Sequence, residues 1–503
     1  MVDSAAEPSE KPLGNRIVRS SFWSISGRVG DRLIGFVSQI IIARLLFPDD
    51  FGLVILAFAV IGIVEVFSEF GFQNAVIYNQ TAKRDYYDTA WTMSAIRGVI
   101  TALIVVAIAY PSSLLFEEPR LFEILPFLSI KAILAGLANI RLHDFEKNLW
   151  MSRIFIHLIA GRLVGAVAAI CFAMYLGNYW ALVYGILLGE MVRLTVSYLL
   201  YPYLPRPTLS CWREIMSYSL WLMVSGVLRY IRRQGHTYVL GALGQVSAVG
   251  VFQIAFEIAY LASSELVAPM KRALFPGYAK AKAEPGRFKA IFGNSVGITA
   301  LFAMPIAVGT GLIAHLAIPI LLGDRWLEAI GIVQVLAAAS AITAVQGHVG
   351  PVFLALGKTK LAAGLDAYLG VAYFLCLVPL TYFYGLDGAA ATIVILALIS
   401  LVAEMIVMQR LIGFTPWDYF KVCWRGTLSC LVMVVVVLLT QSQLTTMEEL
   451  PSNIVQLAAS ISVGVVSYAG SILLLWVAFG RRRDSVEYLV FDFFKGRIAK
   501  SHA

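Results

Sequence analysis

Apolar runs of roughly 20 residues recur along this chain, each closed by a short polar or charged segment. A helix needs about that length to cross ~30 Å of hydrocarbon. Fourteen such runs can be marked: 20–45, 51–76, 88–110, 121–141, 151–175, 179–200, 214–241, 246–269, 291–321, 328–356, 360–383, 387–409, 420–440 and 454–478. They are apolar nearly all round, so their helices should face lipid and one another. They are too long and continuous for the alternating strands of a barrel. The pattern predicts an all-α polytopic membrane protein with about 14 transmembrane helices.

Composition agrees. Of 503 residues 59% are hydrophobic and 14% charged, with a mean hydropathy of +0.79. A soluble domain averages about 25% charged residues. The net charge of +8 lies mainly in connecting segments, which points to topology and anionic lipids, with no nucleic-acid partner. Cys171, Cys211, Cys376, Cys423 and Cys430 form no CxxC pair or metal spacing and read as structural thiols. The first 15 residues are polar, so no cleaved signal peptide is expected.

Orientation follows from the Lys/Arg bias. With the N-terminus in the cytoplasm, the outer loops hold only Arg44, Arg120 and Arg325. An even span count returns the C-terminus to the same side. The outer loops are short and acidic (Asp49, Asp50, Glu117, Glu118, Asp324, Asp387), too short for a catalytic domain. The basic link 270–289 reads as a joint between two halves. In the tail, Val486, Leu489, Val490, Phe493 and Phe494 share a helical face suited to the membrane interface.

A weak repeat divides the chain. Gly52 follows Trp23 by 29 residues, and Gly250 follows Trp221 by the same interval, an offset of 198. Such repeats build transporters with a site between bundles. The expected plan is a tail (1–19), a cation-rich N-lobe of six helices (20–210), a C-lobe of six (211–410), two extra helices (411–480) and a basic amphipathic tail (481–503).

Nine cationic side chains fall at least seven residues from either end of an apolar run, all in the first half: Arg28, Arg32, Arg97, Lys131, Arg162, Arg193, Arg229, Arg232 and Arg233. A charge at bilayer depth is costly and normally faces a protein interior or a wet cavity. The excess of cations points to a cavity for an anion. Arg28, Asp31 and Arg32 share one face of the first span, and Glu65 and Glu69 one face of the second. Helix rise places Arg28 and Glu65 at similar depth, so a bridge from Arg28 or Arg32 to Glu65 is expected. It would be either a switchable cluster or a fixed pair locking two helices.

Arg229, Arg232, Arg233 and His236 make one continuous basic face on the seventh span. Guanidinium groups suit phosphate, because they offer planar paired donors and keep their charge; the competing reading is snorkelling to the interface. Arg193 can pair with Glu190 at i, i+3, whereas Arg162 has no acid within one turn and is the better free anion contact. Arg97 and Lys131 read as interface anchors. In the second half Glu257 is the most central acid, for coupling to protons or Na⁺ or simply as a hydrogen-bonded core acid. There is no GxxxxGK[ST], HExxH or GxSxG. No catalytic residue, metal or bound cofactor is therefore expected, and the chain reads as a secondary transporter and not an enzyme.

The segment Ala43-Arg44-Leu45-Leu46-Phe47-Pro48-Asp49-Asp50-Phe51-Gly52, after Phe22-Trp23, resembles the start of Wzx-type polysaccharide transporters of the multidrug/oligosaccharidyl-lipid/polysaccharide exporter superfamily. Glu69-Phe70-Gly71-Phe72-Gln73-Asn74-Ala75 and Arg272-Ala273-Leu274-Phe275-Pro276 fit the same pattern. The resemblance implies a bacterial inner-membrane flippase for undecaprenyl-pyrophosphate-linked oligosaccharide repeat units. It implies two lobes around a cationic cavity, alternating access, and a polysaccharide polymerase and co-polymerase as partners. Members often carry an acid before Gly241-Ala242-Leu243-Gly244; this chain has His236. The alternatives are a drug/cation antiporter of the same superfamily, which would want acids to dominate the cavity, and a non-transport component of polysaccharide assembly.

Overall fold

The computed structural model describes residues 13–68, 76, 83–213, 220–261, 274, 277–445, 453–479 and 487–488. Among them the regular structure is helical. The chain divides into two compact units, Met1–Gly250 and Val251–Ala503.

The first unit contains α1 (Leu13–Leu45), α2 (Pro48–Ser68), α3 (Arg84–Leu115), α4 (Arg120–Gly136), the short α5 (His143–Lys147), α6 (Met151–Leu176), α7 (Trp180–Leu200) and α8 (Leu220–Ala242). α9 (Val246–Ala259) begins at its end. α6 packs most extensively on α7, α3 on α4, α1 on α6 and α8 on α2. α8, expected to open the second lobe, thus belongs with the first unit. The core lies where α2, α4 and α7 meet, with Leu53, Leu56, Ile61, Leu121, Leu125 and Leu128 buried.

The second unit contains α10 (Pro285–Leu321), α11 (Ala329–Gln346), α12 (Val349–Leu356), α13 (Thr359–Ile412), α14 (Pro416–Thr445) and α15 (Asn453–Ala478). α14 and α15 pack on each other and on α10. At ~1.5 Å per residue the 54 residues of α13 would far exceed a bilayer as one rod. They do not form one: Gly385 leaves helical geometry (φ 55°, ψ −129°). A Cβ on Gly388 would lie 2.0 Å from the Leu380 carbonyl oxygen, so the chain doubles back here. The expected spans 360–383 and 387–409 are its two arms.

Large apolar side chains stand open on the helix surfaces, among them Leu103, Leu115, Met174, Leu375 and Phe383. In water that would be a liability; in lipid it is the outer face of a multi-pass membrane protein. Among the described residues, nine helices are long and apolar enough to cross a membrane, or ten with the pair Arg120–Gly136 and Ile140–Lys147, bent by 59°. The expected fourteen is not established on that measure. α1 and α8 fall short because Arg28, Asp31 and Arg32, and Arg229, Arg232 and Arg233, interrupt their apolar runs. α13 counts once in spite of its break.

At one end of the first unit the connections between its helices are tied together. Arg120 pairs with Asp49 (2.7 Å) and Glu118 (2.6 Å), and the Tyr179 amide donates to Asp50 (2.9 Å). Two of the acidic loops assigned to one side of the membrane by charge bias, and the 177–179 connection, are joined in this way. The hydrogen bonds from Arg120 hold the Glu118 carboxyl below the usual carboxylate range.

The glycines that marked the sequence repeat meet one another. A Cβ on Gly52 would lie 1.8 Å from the Val246 carbonyl oxygen, and one on Gly250 2.1 Å from that of Pro48. Pro48 and Val246 carry the same 198-residue offset as the two glycines. The contact is therefore reciprocal: each start of a repeat-related helix crosses the other over a glycine.

Candidate functional site

Three ion pairs of the first unit join charges that the sequence places at membrane depth. Asp31 of α1 lies 3.7 Å from Arg162 Nε of α6, Glu190 3.1 Å from Arg193 within α7, and Glu65 of α2 3.3 Å from Lys131 Nζ of α4. The Glu190–Arg193 pair is the one expected from i, i+3 spacing. The others correct the sequence reading. α1 packs along α6, so its acid meets Arg162, which is not a free anion contact. α2 packs on α4, so Glu65 meets Lys131 and not Arg28 or Arg32, both of which are exposed. Lys131, read as an interface anchor, is a partner in a helix-to-helix ion pair and also lies 5.5 Å from the centre of the Phe58 ring.

Two of these pairs border a cavity of about 380 Å³ walled by α1, α2, α6 and α7. Arg162, Arg193, Glu190, Ser38 and Gln39 supply its polar lining. Glycines make room for the arginines. A Cβ on Gly35 would stand 2.0 Å from Arg162 Nη2, and one on Gly161 2.2 Å from Arg193 Cγ. The guanidinium of Arg162 and the stem of Arg193 therefore each lie against the neighbouring helix over bare backbone. Gly165, Gly185 and Gly189 extend the close α6–α7 contact, with a Gly165 Cβ position 3.0 Å from the Gly185 carbonyl oxygen. This is the small-xxx-small packing of membrane helices.

None of the described residues of α8 lines this cavity. Arg232 is half-buried, Arg233 is exposed with its guanidinium 5.8 Å from the centre of the Tyr230 ring, and His236 is buried. Tyr238 donates to the Ala59 carbonyl (2.7 Å), and Tyr230 approaches the Phe58 and Ala59 carbonyls, fixing α8 on α2. The side chain of Arg229, and Glu69 altogether, lie outside the described residues, as does the tail face from Val486 to Phe494. Arg97 is half-buried. In the second unit the half-buried Glu257 accepts from Gln253 Nε2 one turn before it (3.1 Å). His348 is fully buried and bonded to Thr299 (2.8 Å), a packed histidine.

Sequence reasoning missed Ser38, Gln39 and the glycines beneath the arginines. The signal was present: Gly161-x-x-x-Gly165 and Gly185-x-x-x-Gly189 are matched spacings on consecutive spans.

Two helical units and a cation-bearing polar cavity inside apolar helices describe a transport scaffold. The family of polysaccharide biosynthesis proteins matches this chain over residues 41–331. The chain belongs to that family. A relative, the lipopolysaccharide biosynthesis protein WzxC of Escherichia coli (strain K12), is 19% identical over 421 residues, 82% of this chain and 85% of its own length. The succinoglycan biosynthesis transport protein ExoT of Rhizobium meliloti (strain 1021) is 23% identical over 334 residues, 65% and 66% of the two chains. Among solved structures, the lipid II flippase MurJ in an inward closed conformation superposes with a TM-score of 0.71 at 14% identity, covering 91% of this chain and 99% of its own. That likeness shows a shared fold. This polysaccharide biosynthesis protein is thus a polytopic membrane protein with a cation-lined cavity in the first unit.

Proposed function

We propose that the protein flips an undecaprenyl-pyrophosphate-linked oligosaccharide repeat unit across the bacterial inner membrane, with both termini in the cytoplasm. The observation that carries the reading is the cavity in which Arg162 and Arg193 are each held by a carboxylate. A guanidinium at membrane depth without a counter-ion is costly, so Asp31 and Glu190 stabilise the empty state. A pyrophosphate head group offers stronger paired acceptors and takes the arginines over. The acids then lose their partners, which gives the loaded protein a different charge balance from the empty one. No covalent bond changes. Arg28, Arg32 and the α8 face of Arg229, Arg232 and Arg233 are further cations for the path. Glu65, Glu69 and Glu257 are the remaining acids for ion pairing or for H⁺ or Na⁺ coupling. Polymerase and co-polymerase are the partners that would take up the flipped unit.

The test is the leaflet distribution of lipid-linked repeat units in a strain lacking the protein. Trapping on the cytoplasmic side, rescued by the wild-type chain, supports flipping; units found unpolymerised on the outer side sink it. Reversing both charges with Arg162→Glu and Arg193→Glu should lower export by at least about a hundredfold at unchanged protein level, since each lost charged contact amounts to roughly tenfold. Gly35→Ala makes a finer test. Its methyl would strike only the far end of the Arg162 side chain, so stability should hold to within about 1 kcal/mol while Arg162 swings off Asp31. Export should fall about tenfold with an unaltered melting temperature.

A further inference from the structure

Two arginines of the first unit are seated alike, and only one of them finds an acid on the helix it crosses. Arg162 lies over Gly35 of α1 and meets Asp31, four residues before that glycine. Arg193 lies over Gly161 of α6, and four residues before Gly161 stands His157. Positions four apart share a helix face, so His157 occupies on α6 the place that Asp31 occupies on α1. His157 is within electrostatic reach of Arg193 and His143.

The exchange of acid for histidine leaves polar atoms stranded. Arg193 Nη1 donates to Glu190, but its Nε is buried without a hydrogen-bond partner among the described residues. His157 Nδ1 is in the same condition. Buried nitrogens in native structures are nearly always paired, so two orphans on facing helices require an explanation. Neither group can satisfy the other's charge, because a guanidinium has no acceptor and an imidazole has no negative form at ordinary pH.

We propose that this gap is an oxyanion slot: a phosphate-class anion sits between His157 and Arg193 Nε, the guanidinium edge that Glu190 leaves unbonded. The guanidinium presents Nε–H and an Nη–H as a fork to two oxygens of such a group. The imidazole donates a third bond from Nδ1 in the tautomer that carries its proton there. The 380 Å³ cavity lined by Arg193, Arg162, Ser38 and Gln39 gives the rest of the ligand room beside the slot. The inference rests on the reading of the protein as a carrier of a pyrophosphate-linked substrate. It selects one arginine and one histidine, inside the first unit, as the seat of the phosphate.

The experiment uses the full-length protein in nanodiscs of zwitterionic lipid, titrated with inorganic pyrophosphate and read by calorimetry and thermal shift. His157→Asp installs the missing carboxylate. It should melt at or above the wild-type temperature and bind pyrophosphate about tenfold or more weakly. Arg193→Gln removes the other half and should weaken binding as much, which keeps the test open if the first variant misfolds. Wild-type affinity in both variants overturns the slot. If pyrophosphate gives no signal, nanodiscs with anionic phospholipid decide the source: stabilisation by that lipid that His157→Asp abolishes assigns the slot to a lipid phosphate, and none at all overturns it. The leaflet assay is separate. Binding through the slot without any effect on leaflet distribution would overturn the flippase reading alone, and flipping without oxyanion binding would overturn the slot alone.

Discussion

Replacing Gly52 or Gly250 with alanine should destabilise the first unit severely, and the two variants should lose similar amounts. The new methyl carbons would lie 1.8 Å from the Val246 carbonyl oxygen and 2.1 Å from the Pro48 carbonyl oxygen. Both obstacles are backbone, so no rotamer change relieves them, and the starts of α2 and α9 must part. Overpacking usually costs 1–3 kcal/mol; a clash with main chain on a helix crossing belongs at or above the top of that range, about 3 kcal/mol. The equality of the two effects follows from the reciprocal geometry. Thermal unfolding in detergent measures it, together with the yield of monodisperse protein. An alanine tolerated at one position and not at the other would show that the crossing is not reciprocal. Gly161→Leu should act in the same direction, because its Cβ position also lies 2.9 Å from the Gly189 carbonyl oxygen, in contrast with Gly35→Ala.

This pair of glycines also shows what the sequence made legible. The 198-residue offset was visible as a pattern, and its physical meaning was not, since spacing along a chain does not say which copies touch. The helices were legible because their apolar runs are long and their closing segments charged. α13 looks like one rod by hydrogen bonding and is two helices joined at Gly385, close to the polar break around Asp387.

The site was legible in residue type and less so in pairing. Arg162, Arg193 and Glu190 were identified by charge at depth, and all three line the cavity. Contacts within one helix follow from i, i+3 spacing, and Glu190–Arg193 was found that way. Contacts between helices depend on which helices are neighbours, and similar depth is a weak guide to that. Glu65 has two cations of α1 at matching depth and pairs with Lys131, because α4 and not α1 packs against α2. His157 carried no signal as a lone histidine. It acquires one only when Gly35 and Gly161 are seen as equivalent seats.

Asp88→Ala should produce the other large loss. Asp88 begins the second turn of α3 and is almost wholly buried. One carboxylate oxygen accepts the Tyr203 hydroxyl and the Arg206 amide (3.2 Å), and the other lies 3.5 Å from Arg84 Nε. One turn further on, Thr92 Oγ1 accepts the Thr208 amide (3.1 Å). α3 therefore binds the non-helical connector between α7 and the chain leading to α8 through a polar stripe. Arg141 sits among the rings of Tyr87, Tyr201 and Tyr203, at 4.6, 5.1 and 5.6 Å, and closes the cluster from the other side. Burial, and then the bond to Asp88, push the Tyr203 phenol above its ordinary range, so it keeps its proton and remains a donor at any physiological pH. Alanine leaves that hydroxyl and the Arg206 amide without an acceptor. Two partly buried donors left without their acceptor should cost about 3 kcal/mol. Asp88→Asn keeps one acceptor oxygen in place and loses chiefly the contact with the exposed Arg84, which contributes little, so its loss should stay near 1 kcal/mol. Unfolding curves for the two variants, with limited proteolysis scored at 202–209, separate the outcomes. Equal stability of Asp88→Ala and Asp88→Asn would mean that the carboxylate does not hold the connector, and early cleavage there in the alanine variant alone would show that it does.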